Sequence, residues 1–313
     1  MTPSTSQTPA SLPSSPMLAR VGLLVVVLIW GINFSVVKHA LLALDPLVLN
    51  ALRFLLAGLA LWALPSRKTF PRLERGDFAR IALLGIVGNT AYQLAFIFGL
   101  DQTLAGNGAI ILASAPVWTV LLAVLVGQDQ GTAGLLAATA LGAAGIALVM
   151  SGSGAELGVG GGHLRGDILV GISSVCWAAY TVAGRDLVTK YGALPVTTWA
   201  LWIGGAPLVL AGVPGAFATP WGQIGLAIWL DVVFAALGAV ALAYVLWYRG
   251  VEKLGSSRTA LWSNLVPCVA LVVAWGWLGE RPKLLQVAGM GVVLLSVLLA
   301  RATRPAPKRV GGP

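Results

Sequence analysis

Six stretches of the chain set polar and aromatic side chains at helical intervals within runs of aliphatic residues. Trp30, Asn33, Phe34 and Lys38 stand at i, i+3, i+4 and i+8, and Asn89, Tyr92, Gln93 and Phe96 keep a similar interval. Asn107, Ser114 and Trp118 follow, then Ser173, Trp177, Tyr180 and Thr181, then Tyr244, Trp247 and Tyr248, and last Thr259, Trp262, Ser263 and Asn264. Residues three or four apart share one face of a helix. Amides and hydroxyls supply hydrogen bonds, while indoles and phenols supply flat apolar surface with one polar edge. Together they suit the binding of a small solute with both polar and apolar parts. Each group taken singly has an ordinary alternative, a bond to a neighbouring helix or, for Trp and Tyr, a place at a membrane interface.

Catalytic chemistry finds no support in the same residues. His39 and His163 fall near the ends of apolar runs, no zinc-type spacing exists, and no Ser-His pair can be argued. No phosphate loop with a Gly-Lys-Ser/Thr ending is present, so ATP is not expected to drive the protein directly. Cys176 and Cys268 lie inside apolar runs and read as small hydrophobes. The expectation is a protein that is not an enzyme, with no catalytic residues, no metal and no cofactor.

The elements that must position those residues follow from composition. Of 313 residues, 10% are charged, against roughly a quarter in a soluble domain, and 58% are hydrophobic with the 39 glycines left out. Ten membrane-spanning helices at about 20 residues each would use about 200 residues and leave short loops. Apolar blocks occur at 18–42, 46–64, 78–99, 104–126, 133–151, 166–188, 195–214, 223–249, 256–278 and 283–301. Turn-forming residues separate them at Asp45-Pro46, Pro65 to Pro71, Gly152 to Gly162, Pro214 to Pro220 and Gly279 to Pro282. In hydrocarbon, unpaired backbone groups force each block to be helical, and the alternating strands of a barrel are absent. The fold expected is an all-α membrane protein of ten transmembrane helices. Residues 1–17 read as a disordered tail rather than a secretory signal, and 302–313 as a basic tail.

The formal charge of +9 does not point to nucleic acid, because Lys and Arg sit between apolar blocks instead of forming one basic face. With the N-terminus in the cytoplasm, fifteen Lys and Arg fall in inside loops and tails. Lys38, Arg165, Arg281 and Lys283 fall outside, and Arg53 lies within a helix. That bias places both termini in the cytoplasm. The chain also repeats: Trp30-Gly-Ile-Asn-Phe-Ser-Val-Val-Lys38 lines up with Trp177-Ala-Ala-Tyr-Thr-Val-Ala-Gly-Arg185, Pro116 with Pro267, and Gly142 with Gly291. Two five-helix halves, 18–151 and 166–301, are joined by an extracytoplasmic linker at 152–165. Five spans per half require the halves to insert in opposite senses, an inverted repeat.

Within this plan Trp30, Asn33, Tyr92, Gln93, Trp177, Tyr180, Tyr244, Trp262 and Ser263 are candidates to line a shared substrate cavity. Pro116 and Pro267 each remove a helix hydrogen bond and are candidate hinges. Arg53 reads first as a structural anchor, and Trp62, Trp199, Trp202, Trp221 and Trp229 as interface residues. The fifth and tenth helices are smooth, suited to lipid, to close packing or to a homodimer contact, so a monomer and a homodimer both stay open. No Asp or Glu lies at the centre of the six cavity helices, with Asp101 and Asp231 near span ends, which argues against a buried proton carrier.

Trp30-Gly-Ile-Asn-Phe, Asp45-Pro46, Leu52-Arg53-Phe54-Leu55-Leu56-Ala57-Gly58, Pro116, and Leu278-Gly279-Glu280-Arg281-Pro282 before a glycine-rich last span carry a resemblance. In this order the chain resembles the EamA branch of the drug/metabolite transporter superfamily over residues 18–301, and within it is most similar to the bacterial YddG amino-acid exporters. The resemblance implies a multi-pass carrier in the bacterial inner membrane that exports amino acids or similar metabolites by alternating access. Gly127-Gln128-Asp129 departs from the Gly-Glu-Arg pattern usual there, and the first helix lacks the carboxylate of the small multidrug antiporters. Facilitated movement of a neutral or zwitterionic solute is therefore favoured. A proton-coupled multidrug antiporter and a phosphate-sugar or nucleotide-sugar exchanger stay open as alternatives.

Overall fold

The computed structural model describes residues 16–63, 70–102, 111–153, 164–269, 272 and 284–302. These are helical almost throughout, with no strand among the described residues. In chain order the helices are α1 (Pro16–Ala40), α2 (Pro46–Ala63), α3 (75–102), α4 (Ala115–Leu125), α5 (Ala133–Ser153), α6 (Leu164–Tyr191), α7 (Ala193–Ala218), α8 (226–254), α9 (256–269) and α10 (Leu284–Ala302). Six of them, α1, α2, α3, α6, α7 and α8, are long and apolar enough to cross a membrane, and α4, α5 and α10 contain shorter apolar stretches. Leu24, Leu28, Leu59, Leu210, Phe217, Leu230 and Leu294 stand exposed on their outer faces. Hydrocarbon accepts such surface, whereas water would drive it to associate.

Helix boundaries follow local chemistry. Asp45 Oδ1 accepts the Leu47 and Val48 amides at 2.8 and 3.3 Å, and Pro46 opens α2, where its missing N–H leaves nothing unpaired. Single glycines join α6 to α7 and α8 to α9: Gly192 and Gly255 have φ of 85° and 87°, a region closed to most side chains. Helix α7 differs from the sequence expectation, running through Pro207 and Pro214 to Ala218 instead of ending at Pro214. An internal proline forfeits one bond of the ladder, yet the flanking bonds can carry an apolar helix past it. Trp202 also differs, since it lies in the body of α7 with Gly58 of α2 close to its ring rather than at a span end.

Two helices contain wide π-turns, Ile86–Ala91 in α3 and Phe234–Leu242 in α8. They occupy the third helix of each half, so the departure repeats with the sequence. Small residues there admit close neighbours. A Cβ on Gly88 would stand 1.9 Å from the Tyr180 ring of α6, and one on Gly204 of α7 would stand 2.0 Å from the Gly85 carbonyl oxygen.

The helices pack in related pairs: α1 on α8 and α6 on α3, α2 on α8 and α7 on α3, α4 on α6 and α9 on α1. Helix α2 also packs on α7, and α5 on α10. Exchanging the first five helices for the second five maps each of these pairings onto another or onto itself. The smooth fifth and tenth helices therefore cover one another, with Gly145 against Val293. Asn107, His163, the Leu278–Pro282 motif, the linker at 154–163 and most of both tails lie outside the described residues, as do the side chains of Phe34 and Lys38. Gly88→Ala should lower the thermal midpoint of the detergent-purified protein, since overpacking of this kind costs about 1–3 kcal/mol. Gly76→Ala, with open space around it, should not lower that midpoint when both variants are followed by scanning fluorimetry.

Candidate functional site

Trp30 and Trp177, matched by the sequence repeat, touch edge to face with ring centroids 5.3 Å apart. Repeat-equivalent residues can meet only beside the axis that relates the halves, so this contact marks the centre of the bundle. Tyr244 of α8 lies 5.2 Å from Trp177 and 6.4 Å from Trp30, and Tyr92 of α3 lies 5.3 Å from Trp177. Tyr180 is 5.4 Å from Trp177 and 6.1 Å from Tyr244. Edge-to-face and tilted contacts of this kind add attraction beyond area burial.

Hydrogen bonds fix the rings. The Trp30 indole N–H donates to the Ala239 carbonyl at 3.0 Å, within the π-turn of α8. The Trp247 indole donates to Thr181 Oγ1 at 3.1 Å, and Thr181 donates to the Trp177 carbonyl at 2.9 Å. Tyr248 donates to the Tyr180 carbonyl at 2.9 Å, and Gln93 Nε2 donates to the Tyr244 hydroxyl at 3.4 Å. Trp247, 5.2 Å from Trp30 and 5.5 Å from Trp177, thus belongs to the cluster although it was not among the candidates. Its place one helical turn after Tyr244 is the signal that marks it.

Of the candidates, Trp30, Tyr92, Gln93, Trp177, Tyr180 and Tyr244 meet in one place. Trp262 is buried in the same apolar core, and Asn33 lies one turn along α1 from Trp30. The Ser263 hydroxyl is turned toward its own helix, donating to the Ala260 carbonyl at 2.7 Å. Asn33 Oδ1, Gln93 Oε1 and the Tyr180 hydroxyl are buried with no hydrogen-bond partner among the described residues. Buried polar atoms are rarely left unmet, which sets these three apart from the hydrogen-bonded groups around them.

Asn89 departs from the shared face expected for Asn89, Tyr92, Gln93 and Phe96. Its Nδ2 donates to the Ala200 carbonyl of α7 at 2.9 Å. Asn89 lies within the π-turn, which ends at Ala91, and the longer hydrogen-bond span there rotates its residues relative to those after it. Pro116 and Pro267 also stand differently from prolines inside continuous helix. Pro116 falls at the second residue of α4 behind a turn at 113–114, and Pro267 follows the 3-10 stretch Leu261–Leu265. In each break a serine donates to the carbonyl three residues back, Ser114 to Ile111 and Ser263 to Ala260.

Polar clasps close one end of the bundle. Arg185 of α6 donates to the Gln128 carbonyl at 2.6 Å and lies 3.6 Å from Asp129. Gln128 in turn donates to the Val182 carbonyl at 2.9 Å and accepts from Ser256, and Asp129 accepts the Ser257 amide. The unusual Gly127-Gln128-Asp129 turn thereby ties α6 to the α8–α9 turn. Nearby, Asp77 accepts from Lys190 and Tyr191 at 2.7 Å each. His39 and Asp231 pair between α1 and α8, away from these clasps.

Two interlocked sets of apolar helices around a polar-edged aromatic centre have the architecture of a multi-pass membrane transporter. The chain belongs to the EamA-like transporter family, which matches residues 17–151 and again 164–302. It is similar to a probable terminal-alkyne amino-acid exporter of Streptantibioticus cattleyicolor, 31% identical over 88% of this chain and 91% of that protein. An uncharacterized transporter of Bacillus subtilis, YyaM, is 29% identical over 89% and 92%. A probable amino-acid metabolite efflux pump of Salmonella typhimurium is 25% identical over 88% and 92%. A solved crystal structure shares the fold with a TM-score of 0.79 and 18% identity, covering 92% of this chain and 98% of its own.

Replacing Arg185 by Gln should release the 127–132 turn while leaving the aromatic centre intact. Hydrogen exchange of those amides should rise, with exchange around Trp177 unchanged.

Proposed function

We propose that the chain crosses the bacterial inner membrane ten times, as two five-helix repeats inserted in opposite senses with both termini in the cytoplasm, and exports amino acids or similar small metabolites. The observation that carries this reading is the cluster of Trp30, Trp177 and Tyr244 between the repeats, with unmet polar atoms of Asn33, Gln93 and Tyr180 beside it. Aromatic faces accept side chains of varied shape, and amides and hydroxyls bond the polar ends of the solute. Two relatives, a probable terminal-alkyne amino-acid exporter and a probable amino-acid metabolite efflux pump, support the same substrate class.

Transport proceeds by alternating access. One group of helices rocks against the other where α4 and α9 lose regular α-helix beside Pro116 and Pro267, and the centre opens to each side in turn. Among the described residues, the hydrogen bonds and ring contacts of the cluster involve no Asp or Glu, which favours facilitated movement over proton exchange.

Purified protein in liposomes should take up labelled phenylalanine and leucine without a pH gradient, each competing with the other. Asn33→Ala, Gln93→Ala and Tyr244→Ala should each cut uptake by about tenfold, the loss of one well-made hydrogen bond to a bound solute. Uptake that requires a pH gradient would instead favour a proton-coupled antiporter. Uptake equal to that of empty liposomes, from folded protein, would end the amino-acid reading.

A further inference from the structure

Arg53 and Asp77 are the charged side chains buried among the described residues. Asp77 has Lys190 and Arg80 as ionic partners, but no described carboxylate pairs with Arg53. Its NH1 donates to Asn50 Oδ1 at 3.0 Å, one turn earlier on α2. Arginine only donates, so Asn50 must offer it the oxygen and turn Nδ2 elsewhere. That Nδ2 and the Arg53 Nε are both buried without a protein acceptor. Phe54, the neighbour of Arg53, shares one apolar cluster with Val240, Ala241 and Val245 of α8 and with Leu94 of α3, residues that flank Tyr244 and Gln93, so this stretch of α2 lies against the elements that carry the central cluster. Gln93, bonded to Tyr244, presents an unmet acceptor oxygen, and Asn33 presents another. Unmet donors therefore come from α2 and unmet acceptors from α1 and α3.

A side chain kept only to brace the fold would be expected to have its charge balanced by the protein, because an unpaired guanidinium away from water is unfavourable. Here the balancing anion is absent from the chain's own described residues, and a planar fork suits a carboxylate from outside. We propose that Arg53, supported by Asn50, holds the carboxylate of the transported solute, so that the substrate class is defined by a free carboxylate. The ammonium group of an amino acid then meets the acceptor oxygens of Gln93 and Asn33. This inference rests on the transport reading above and adds the chemical feature by which the site selects.

The test uses full-length protein in liposomes, labelled phenylalanine as probe, and unlabelled phenylalanine, phenylalaninamide and phenylalaninol as competitors. The wild type should prefer the acid over the amide and the alcohol by at least about tenfold, as expected for a charge-assisted hydrogen bond. Arg53→Gln should raise KM for phenylalanine by a similar factor with a smaller change in turnover, and should abolish the preference. Arg53→Lys, which retains the charge, should keep part of it. Monodisperse elution establishes that each variant is folded, and if Arg53→Gln fails that check, the wild-type ratio and Arg53→Lys decide. A wild type that accepts the amide as readily as the acid, or a folded Arg53→Gln with unchanged KM and preference, would overturn the carboxylate anchor while leaving amino-acid transport standing. A folded wild type that takes up no labelled phenylalanine beyond empty liposomes would overturn both.

Discussion

Hydrocarbon offers no hydrogen bonds, and this constraint governs the rest of the molecule. A chain with 10% charged residues can cross such a medium only if its backbone bonds to itself, so the described residues are helical almost without exception. Each departure from regular α-helix then needs a local answer. The π-turn of α8 meets the Trp30 indole at the Ala239 carbonyl, and from within the π-turn of α3 the Asn89 and Thr90 side chains donate to the Ala200 and Gly204 carbonyls of α7. The same bonds that satisfy the backbone tie the two halves together.

Close packing follows from that tie. Without a hydrophobic driving force between helices in lipid, association depends on contact and on small residues that permit it. Gly85 and Gly204 bring α3 and α7 together backbone to backbone, while Gly88 receives the Tyr180 ring and Gly184 the Tyr248 ring. Tryptophan and tyrosine occupy the space between the repeats because the glycines leave it open. The aromatic centre and the glycine contacts are thus two sides of one arrangement.

Among the described residues charge is confined to the ends, with one exception. Arg185, Asp129, Asp77 and Lys190 bind loops to helices where α6 ends, and His39 and Asp231 join α1 to α8 elsewhere. The turn Gly127-Gln128-Asp129, irregular when compared with the family pattern, provides the acceptors that hold Arg185, Ser256 and Ser257. Arg53 stays in the interior, on the stretch of α2 whose Phe54 packs with Val240, Ala241 and Val245 of α8.

Much of this was legible in the residues alone. Apolar blocks, their proline and glycine breaks and the Trp30–Trp177 repeat determine a helical membrane protein of duplicated halves, because hydrophobic length and helical period depend only on neighbours in the chain. The aromatic candidates on α1, α3, α6 and α8 met as their spacing implied, since most of each helix keeps one period. What the tertiary structure decided lies where the period changes or where another helix intervenes. Asn89 left the face of Tyr92 because it lies inside a π-turn that ends just before Tyr92, Trp202 packed inward because Gly58 admits it, and Pro116 came to start a helix behind a broken turn. Arg53 gained its place from helices distant in sequence, and no local pattern specifies which of those will be neighbours.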